Sequence, residues 1–156
     1  MATAASGRVD AQGKLQAPGV TIRSVSYQNG RLPMAKLNYV TVGSNDLPKA
    51  KAFYDALLAS AGFRPLFDHP SGGRLYRGEG CMFGVLGPHD GNPACVGNGM
   101  MAGFAFATPA EVDAFHAKAL ELGAVCDGPP GERMPKAYFA YFRDLDGNKL
   151  CGYKLG

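Results

Sequence analysis

The segment Ala52-Phe53-Tyr54-Asp55-Ala56-Leu57, closed by Gly62, returns further along the chain as Ala114-Phe115-His116 with Ala119, Leu120 and Gly123. Each copy follows a strand-like run and precedes another, so the chain reads as two similar modules in tandem. Two such modules set against each other enclose a cleft, and a cleft is where function would sit. The 156 residues fit one domain whose core is large enough to do without disulfides or a structural metal.

Local patterns fill in each module. Lys36 to Gly43 alternates, with Val40 and Val42 on one face, and predicts a strand laid against a helix. Asp46 is the N-cap of that helix and Pro48 falls in its first turn. Phe53, Ala56, Leu57 and Ala61 supply the apolar stripe, and Gly62 ends it. Short strands follow at Phe63 to Asp68, Arg74 to Arg77 and Cys81 to Leu86. In the second copy Met100 to Ala107 is the opening strand, and Thr108-Pro109-Ala110-Glu111 is a capping box with proline at the first helical position. Val112, Phe115, Ala119 and Leu122 form that helix's buried stripe. Ala124 to Cys126, a loop from Asp127 to Pro135, a Tyr- and Phe-rich strand from Lys136 to Asp144, a hairpin turn at Asp144-Leu145-Asp146-Gly147-Asn148 and a last strand from Lys149 to Lys154 complete it. The expected domain spans 34–155: module one over 36–88, a Gly- and Pro-rich linker over 89–99, and module two over 100–155. The fold class is α+β, two βαβββ modules forming a cup-shaped, mostly antiparallel eight-stranded sheet with helices on the outside.

Residues 1–33 are poor in large apolar groups and read as a flexible extension, although the alternation of Val20 to Val25 could add an edge strand. They also carry all of the net charge of +3, with Arg8, Lys14, Arg23 and Arg31 against Asp10. The remaining body is balanced, which gives no lead toward nucleic acid or an anionic membrane. No apolar run is long enough for a membrane helix. Cys81, Cys95, Cys126 and Cys151 are widely spaced with no Cys-x-x-Cys pair, the pattern of reduced thiols in a cytoplasmic protein.

Three stretches carry a family resemblance: Leu37-Asn38-Tyr39-Val40-Thr41-Val42 with Asp46-Leu47 and Ala52-Phe53-Tyr54; Val112-Asp113-Ala114-Phe115-His116; and Phe142-Arg143-Asp144-Leu145-Asp146-Gly147-Asn148-Lys149-Leu150. In this order and spacing the chain resembles the vicinal oxygen chelate superfamily of glyoxalases, bleomycin-binding proteins and extradiol dioxygenases. The resemblance implies a concave cup, often in a homodimer, holding a divalent metal on strands from both modules. The positions it assigns to metal ligands are Tyr39, Gly103 and Cys151 here, and no Glu stands near Phe83 to Val85 for the fourth. One thiol and one phenol are a poor donor set, so no metal or other cofactor is expected.

The candidate ligand-binding residues are Tyr39, Thr41, Met101, Phe139, Tyr141, Arg143 and Cys151. The resemblance assigns Tyr141 to the pocket and Cys151 to a ligand position facing the cup, and the others join them by the two-residue period of a strand. These side chains could equally fill a collapsed cup. His69 and His89 lie in turn-rich segments and His116 on a helix, so a three-histidine metal site would require distant loops to converge. Asp144 and Asp146 are read as caps of the hairpin turn. The function expected is binding of a small organic molecule without a metal. The alternative is a glyoxalase-like lyase, isomerase or dioxygenase using a relocated metal, or acid/base chemistry from Tyr39, Cys151 and Arg143. A third reading is a non-catalytic dimer.

Overall fold

The computed structural model describes residues 35–156 and the strand residues Arg8–Val9 and Leu15–Gln16. Contacts divide the chain into Met1–Ala35 and Lys36–Gly156. In the first unit β1 (Arg8–Val9) and β2 (Leu15–Gln16) pair antiparallel. The edge strand expected over Val20 to Val25, and the flexibility expected of the rest of that segment, lie outside the described residues.

The second unit contains both modules. The first comprises β3 (Tyr39–Gly43), α1 (Leu47–Ser60), β4 (Arg64–Asp68), β5 (Arg74–Arg77) and β6 (Met82–Leu86), in the sheet order β3-β6-β5-β4. The second repeats it with β7 (Ala102–Ala105), α2 (Pro109–Glu121), β8 (Val125–Met134), β9 (Ala137–Arg143) and β10 (Lys149–Leu155), in the order β7-β10-β9-β8. Each sheet has one parallel pair, β3 with β6 and β7 with β10, and is otherwise antiparallel. The eight strands are therefore present as two mixed four-stranded sheets.

The helix starts follow their sequence signals. The Asp46 side chain accepts from the Lys49 amide at 3.1 Å. In α2 the capping box closes both ways, Thr108 N–H donating to Glu111 Oε2 at 2.8 Å and Glu111 N–H to Thr108 Oγ1 at 3.3 Å. The stripe of α1 is rotated from expectation: Tyr54 and Leu58 are buried with Phe53 and Leu57, while Ala56 is only half-buried. The reason is a row of rings that needs Tyr54 inside. Tyr54 and Phe83 centroids lie 5.0 Å apart, Phe83 and Phe104 5.6 Å, Phe104 and Phe115 5.3 Å, and Phe115 and Phe142 5.6 Å. This row crosses from one module to the other and makes a single core of them.

The hairpin turn does more than cap itself. Asp144 is buried and accepts from the amides of Asp146 and Asn148, as its place in the turn requires, but it also accepts from Tyr54 Oη at 2.5 Å. Asn148 Nδ2 donates to the Gly43 carbonyl at 2.9 Å, and Asn45 N–H donates to Asp146 Oδ1 at 2.9 Å. The turn of module two is thus bonded to the strand end, loop and helix of module one.

Residues Asp127 to Met134, expected in a loop, are strand. Prolines 129 and 130 are tolerated because β8 is the outer strand of its sheet, bonded to β9 alone, and three register shifts absorb the extra residues.

Candidate functional site

In β9 and β10 alternate residues separate two faces. Phe142, Leu150 and Gly152 turn toward α2, where a Cβ on Gly152 would lie 3.2 Å from the Phe115 ring. The opposite face carries Phe139, Tyr141 and Arg143 on β9 and Lys149, Cys151 and Tyr153 on β10. Their register pairs Arg143 with Lys149, Tyr141 with Cys151, and Phe139 with Tyr153. One end of the face is therefore cationic and the other aromatic.

The aromatic rings lie in near-parallel planes. Phe139 and Tyr141 are 5.8 Å apart at 10°, and Phe139 and Tyr153 are 5.5 Å apart at 17°. Two glycines leave room for them: a Cβ on Gly128 would lie 2.9 Å from the Tyr141 ring, and one on Gly103 would lie 3.1 Å from the Tyr153 ring. Lys149 Nζ stands 5.0 Å from the centre of Tyr141, and the Arg133 guanidinium 5.6 Å from it. At the cationic end Asp127 bonds Lys149 at 2.9 Å and Arg143 at 3.3 Å. The Lys149 ammonium, followed by the charge of Arg143, holds the Asp127 carboxyl below the usual carboxylate range.

Three cavities border this face. One of about 630 Å³ is lined by Val96 to Met101 with Arg143 and Lys149. A smaller one, about 120 Å³, joins Val40, Thr41, Met101 and Lys149. A third, about 390 Å³, runs along β7 past Gly103 and Tyr153 to Phe63 and Met82 of module one.

The seven expected residues are thus distributed unevenly. Phe139, Tyr141 and Arg143 share one strand face with Cys151, and Met101 joins Arg143 in one cavity and Thr41 in another. Tyr39 pairs with Met82 in the other sheet and is 58 % exposed. Lys149, Tyr153, Asp127 and Arg133 are additional members. Lys149 and Tyr153 share the two-residue period of Cys151, which was signal enough to find them. Asp127 and Arg133 sit in the segment expected to be loop, where no period could be assigned.

Cys151 is 1 % exposed, and burial pushes its thiol up to about 11, Lys149 offsetting only part of the effect. A thiol held so is a poor nucleophile near neutral pH. Gly103 offers no donor, and a Cβ there would already lie 3.3 Å from Cys151 Sγ. Among the described residues no group of three or more His, Cys, Asp or Glu is placed to hold a metal ion. The side chains at the family's ligand positions do not fit a divalent cation.

His69 and His89 share a separate cavity of about 740 Å³ with Thr41 and Ser71. His69 Nδ1 accepts from the Ser71 amide at 3.2 Å, which leaves the proton of the neutral ring on Nε2. His116 is remote from both, packed against Phe142 in the core, and burial lowers its pKa. The three histidines do not converge.

Two βαβββ modules with an open face between linker and sheet define a glyoxalase-like fold. Residues 36–151 match the Glyoxalase/Bleomycin resistance protein/Dioxygenase superfamily, and the chain belongs to it. A glyoxalase/bleomycin resistance protein from Albidiferax ferrireducens T118 is similar at 45 % identity, over 75 % of this chain and 96 % of that one, with a TM-score of 0.70. A glyoxalase/bleomycin resistance protein/dioxygenase family enzyme from Burkholderia phytofirmans PsJN is 20 % identical, over 78 % and 100 % of the two chains, with a TM-score of 0.64. A lactoylglutathione lyase from Agrobacterium tumefaciens is 20 % identical, over 78 % and 95 %, with a TM-score of 0.59. The last two likenesses concern the fold alone. No match was found among curated proteins.

Proposed function

We propose that this protein binds a small organic molecule on the face formed by Tyr141, Phe139, Tyr153, Arg143 and Lys149, and that it does so without the superfamily's metal. The observation that carries the reading is the joint one at β10: an aromatic and cationic surface surrounds the buried Cys151 thiol, at a position the resemblance assigns to a metal ligand. Thr41 and Met101 border the same site from the small cavity. Tyr39 is left as a wall residue of the opposite sheet.

The enzyme alternative loses its best nucleophile, because a thiol with a pKa near 11 is not ionised at neutral pH. Two further parts of the reading are a cytoplasmic location, supported by four unpaired thiols, and a homodimer, supported by family membership. No helix among the described residues is long and apolar enough to cross a membrane.

The test is elemental analysis of protein prepared with Mn, Fe, Co, Ni and Zn present, combined with an amide-resonance screen of small organic molecules with and without chelator. The expected result is no stoichiometric metal, with ligand-induced shifts at Met101, Tyr141 and Lys149 that are indifferent to chelator. One tightly held metal per chain, or binding abolished by chelation, overturns it.

A further inference from the structure

The connection between the modules carries Cys95, Met100 and Met101 within one short loop, Cys95-Val96-Gly97-Asn98-Gly99-Met100-Met101. That loop is fixed at both ends. Ala94, just before it, is held by both of its backbone groups, its N–H donating to Asn45 Oδ1 at 2.7 Å and its carbonyl accepting from Asn45 Nδ2 at 2.9 Å. Ala102, just after it, is in register with Leu150 of β10. Between these anchors the Met100 amide donates to the Gly97 carbonyl at 3.1 Å and Gly99 takes a φ of 87°, a left-handed turn that glycine adopts without strain. The chain therefore doubles back and returns Met100 and Met101 toward Cys95.

The side chains follow the turn. A Cβ on Gly97 would lie 2.6 Å from Met100 Cγ, so the Met100 stem lies folded over Gly97, in space that any other residue there would fill. Cys95, Met100 and Met101 then line a single cavity of about 120 Å³, and no carboxylate or imidazole lines it with them. Its one cationic lining residue is Lys149, whose ammonium is bonded to Asp127 at 2.9 Å. A hard divalent ion finds no anionic oxygen there. One thiol and two thioethers are instead the donor set that selects a soft cation such as Cu(I). Charge balance points the same way, because a thiolate with a monovalent cation is neutral beside Lys149, whereas a divalent complex would repel it. The flexible methionine stem lets two thioethers meet at one point from different backbone positions.

We infer that the loop 95–101 holds one soft monovalent cation of the Cu(I) class between Cys95 Sγ and the thioethers of Met100 and Met101. Binding exchanges the Cys95 thiol proton, released to solvent, for the cation, and no oxidation state changes. The site differs from the positions Tyr39, Gly103 and Cys151 that the family assigns to a divalent metal, and it does not rest on the organic-ligand reading.

The test is anaerobic titration of the reduced protein with Cu(I) in competition with bathocuproine disulfonate, followed by iodoacetamide footprinting at one equivalent. The expected result is one Cu(I) per chain retained against the chelator, with Cys95 protected while the exposed Cys81 and Cys126 stay reactive. Met100 and Met101 are 60 % and 45 % exposed, so replacing both by Leu keeps the fold and removes only the thioethers. That double variant should hold Cu(I) about tenfold or more weakly, which is about 1.4 kcal/mol or more, and Cys95→Ser should lose the equivalent altogether. Protection spread evenly over Cys81, Cys95 and Cys126, retention by the double variant equal to that of the wild type, or no Cu(I) held against the chelator overturns the inference.

Discussion

Replacing Tyr54 by Phe isolates the hydrogen bond on which the joint between the modules depends. The phenol is 1 % exposed, Asp144 is 5 % exposed, and the bond between them is 2.5 Å long. Phe fills the same space, so no cavity term enters, and the ring contacts with Phe53 at 5.1 Å and Phe83 at 5.0 Å survive. What is lost is one bond to a buried carboxylate that keeps its amide donors from Asp146 and Asn148 and the Asn148 side chain. A bond to a charged acceptor is worth about 1.5 to 3 kcal/mol, and the remaining donors put the expected cost near the middle, about 2 kcal/mol. For a domain of this size that is a fall in Tm of roughly 5 to 12 °C. Urea unfolding followed by circular dichroism should show a lower midpoint with an unchanged slope. The sign with pH is also fixed: burial first, then the charge of Asp144, raises the Tyr54 pKa well above 10.0, so the neutral phenol favours the folded state. That contribution is complete below pH 10 and is lost as pH rises from there toward the folded value, so the wild-type advantage over Tyr54→Phe should shrink above pH 10. A cost below about 0.5 kcal/mol at neutral pH would refute the reasoning, since it would equal what an exposed pair such as Lys118 with Glu121 contributes.

Iodoacetamide at neutral pH should modify Cys81, Cys95 and Cys126, which are exposed, and spare Cys151 until the protein is unfolded; peptide mass spectrometry that finds Cys151 labelled as fast as the others contradicts its burial. Because the Lys149 bond is the largest influence lowering the Asp127 pKa, Lys149→Met should move the Asp127 carboxyl midpoint upward in a carbon-detected titration, and an unmoved midpoint breaks the ion pair assignment. Gly128→Ala introduces a Cβ 2.9 Å from the Tyr141 ring at a φ of 153°, and should displace that ring and cost about 1 to 3 kcal/mol, read by Tyr141 side-chain shifts and by urea midpoint. Thr108→Ala opens the capping box and should cost about 1 kcal/mol in the same unfolding assay.

The fold could be read from sequence because its signals are local. Asp46, Pro48 and the Thr108 to Glu111 box each fix a helix start through bonds within one turn, and Gly62 and Gly123 follow the helix ends with φ of 77° and 99°. The errors fall where tertiary packing decides. Prolines 129 and 130 say loop to any local rule, and only the place of β8 at the outside of its sheet makes them strand. Tyr54 says helix surface until Asp144, 90 residues away, supplies its partner. The candidate face was half legible for the same reason: the resemblance pointed to Tyr141 and Cys151 and strand period added Arg143, while Arg133 and Asp127 reach Tyr141 and Lys149 through bulges that break the period.

The alternation that made the fold legible also separates the residues that build the core from those on the candidate face. Leu150, Gly152, Phe142 and Ala140 turn inward and hold α2, and the ring row from Tyr54 to Phe142 runs wholly on that side. Lys149, Cys151, Tyr153 and Gly103 occupy the opposite face, in register with Arg143, Tyr141 and Phe139. Cys151 shows the consequence in one residue. Its thiol closes the floor between Gly103 and Tyr141, and ionisable groups stand one register step away at Arg143 and Lys149.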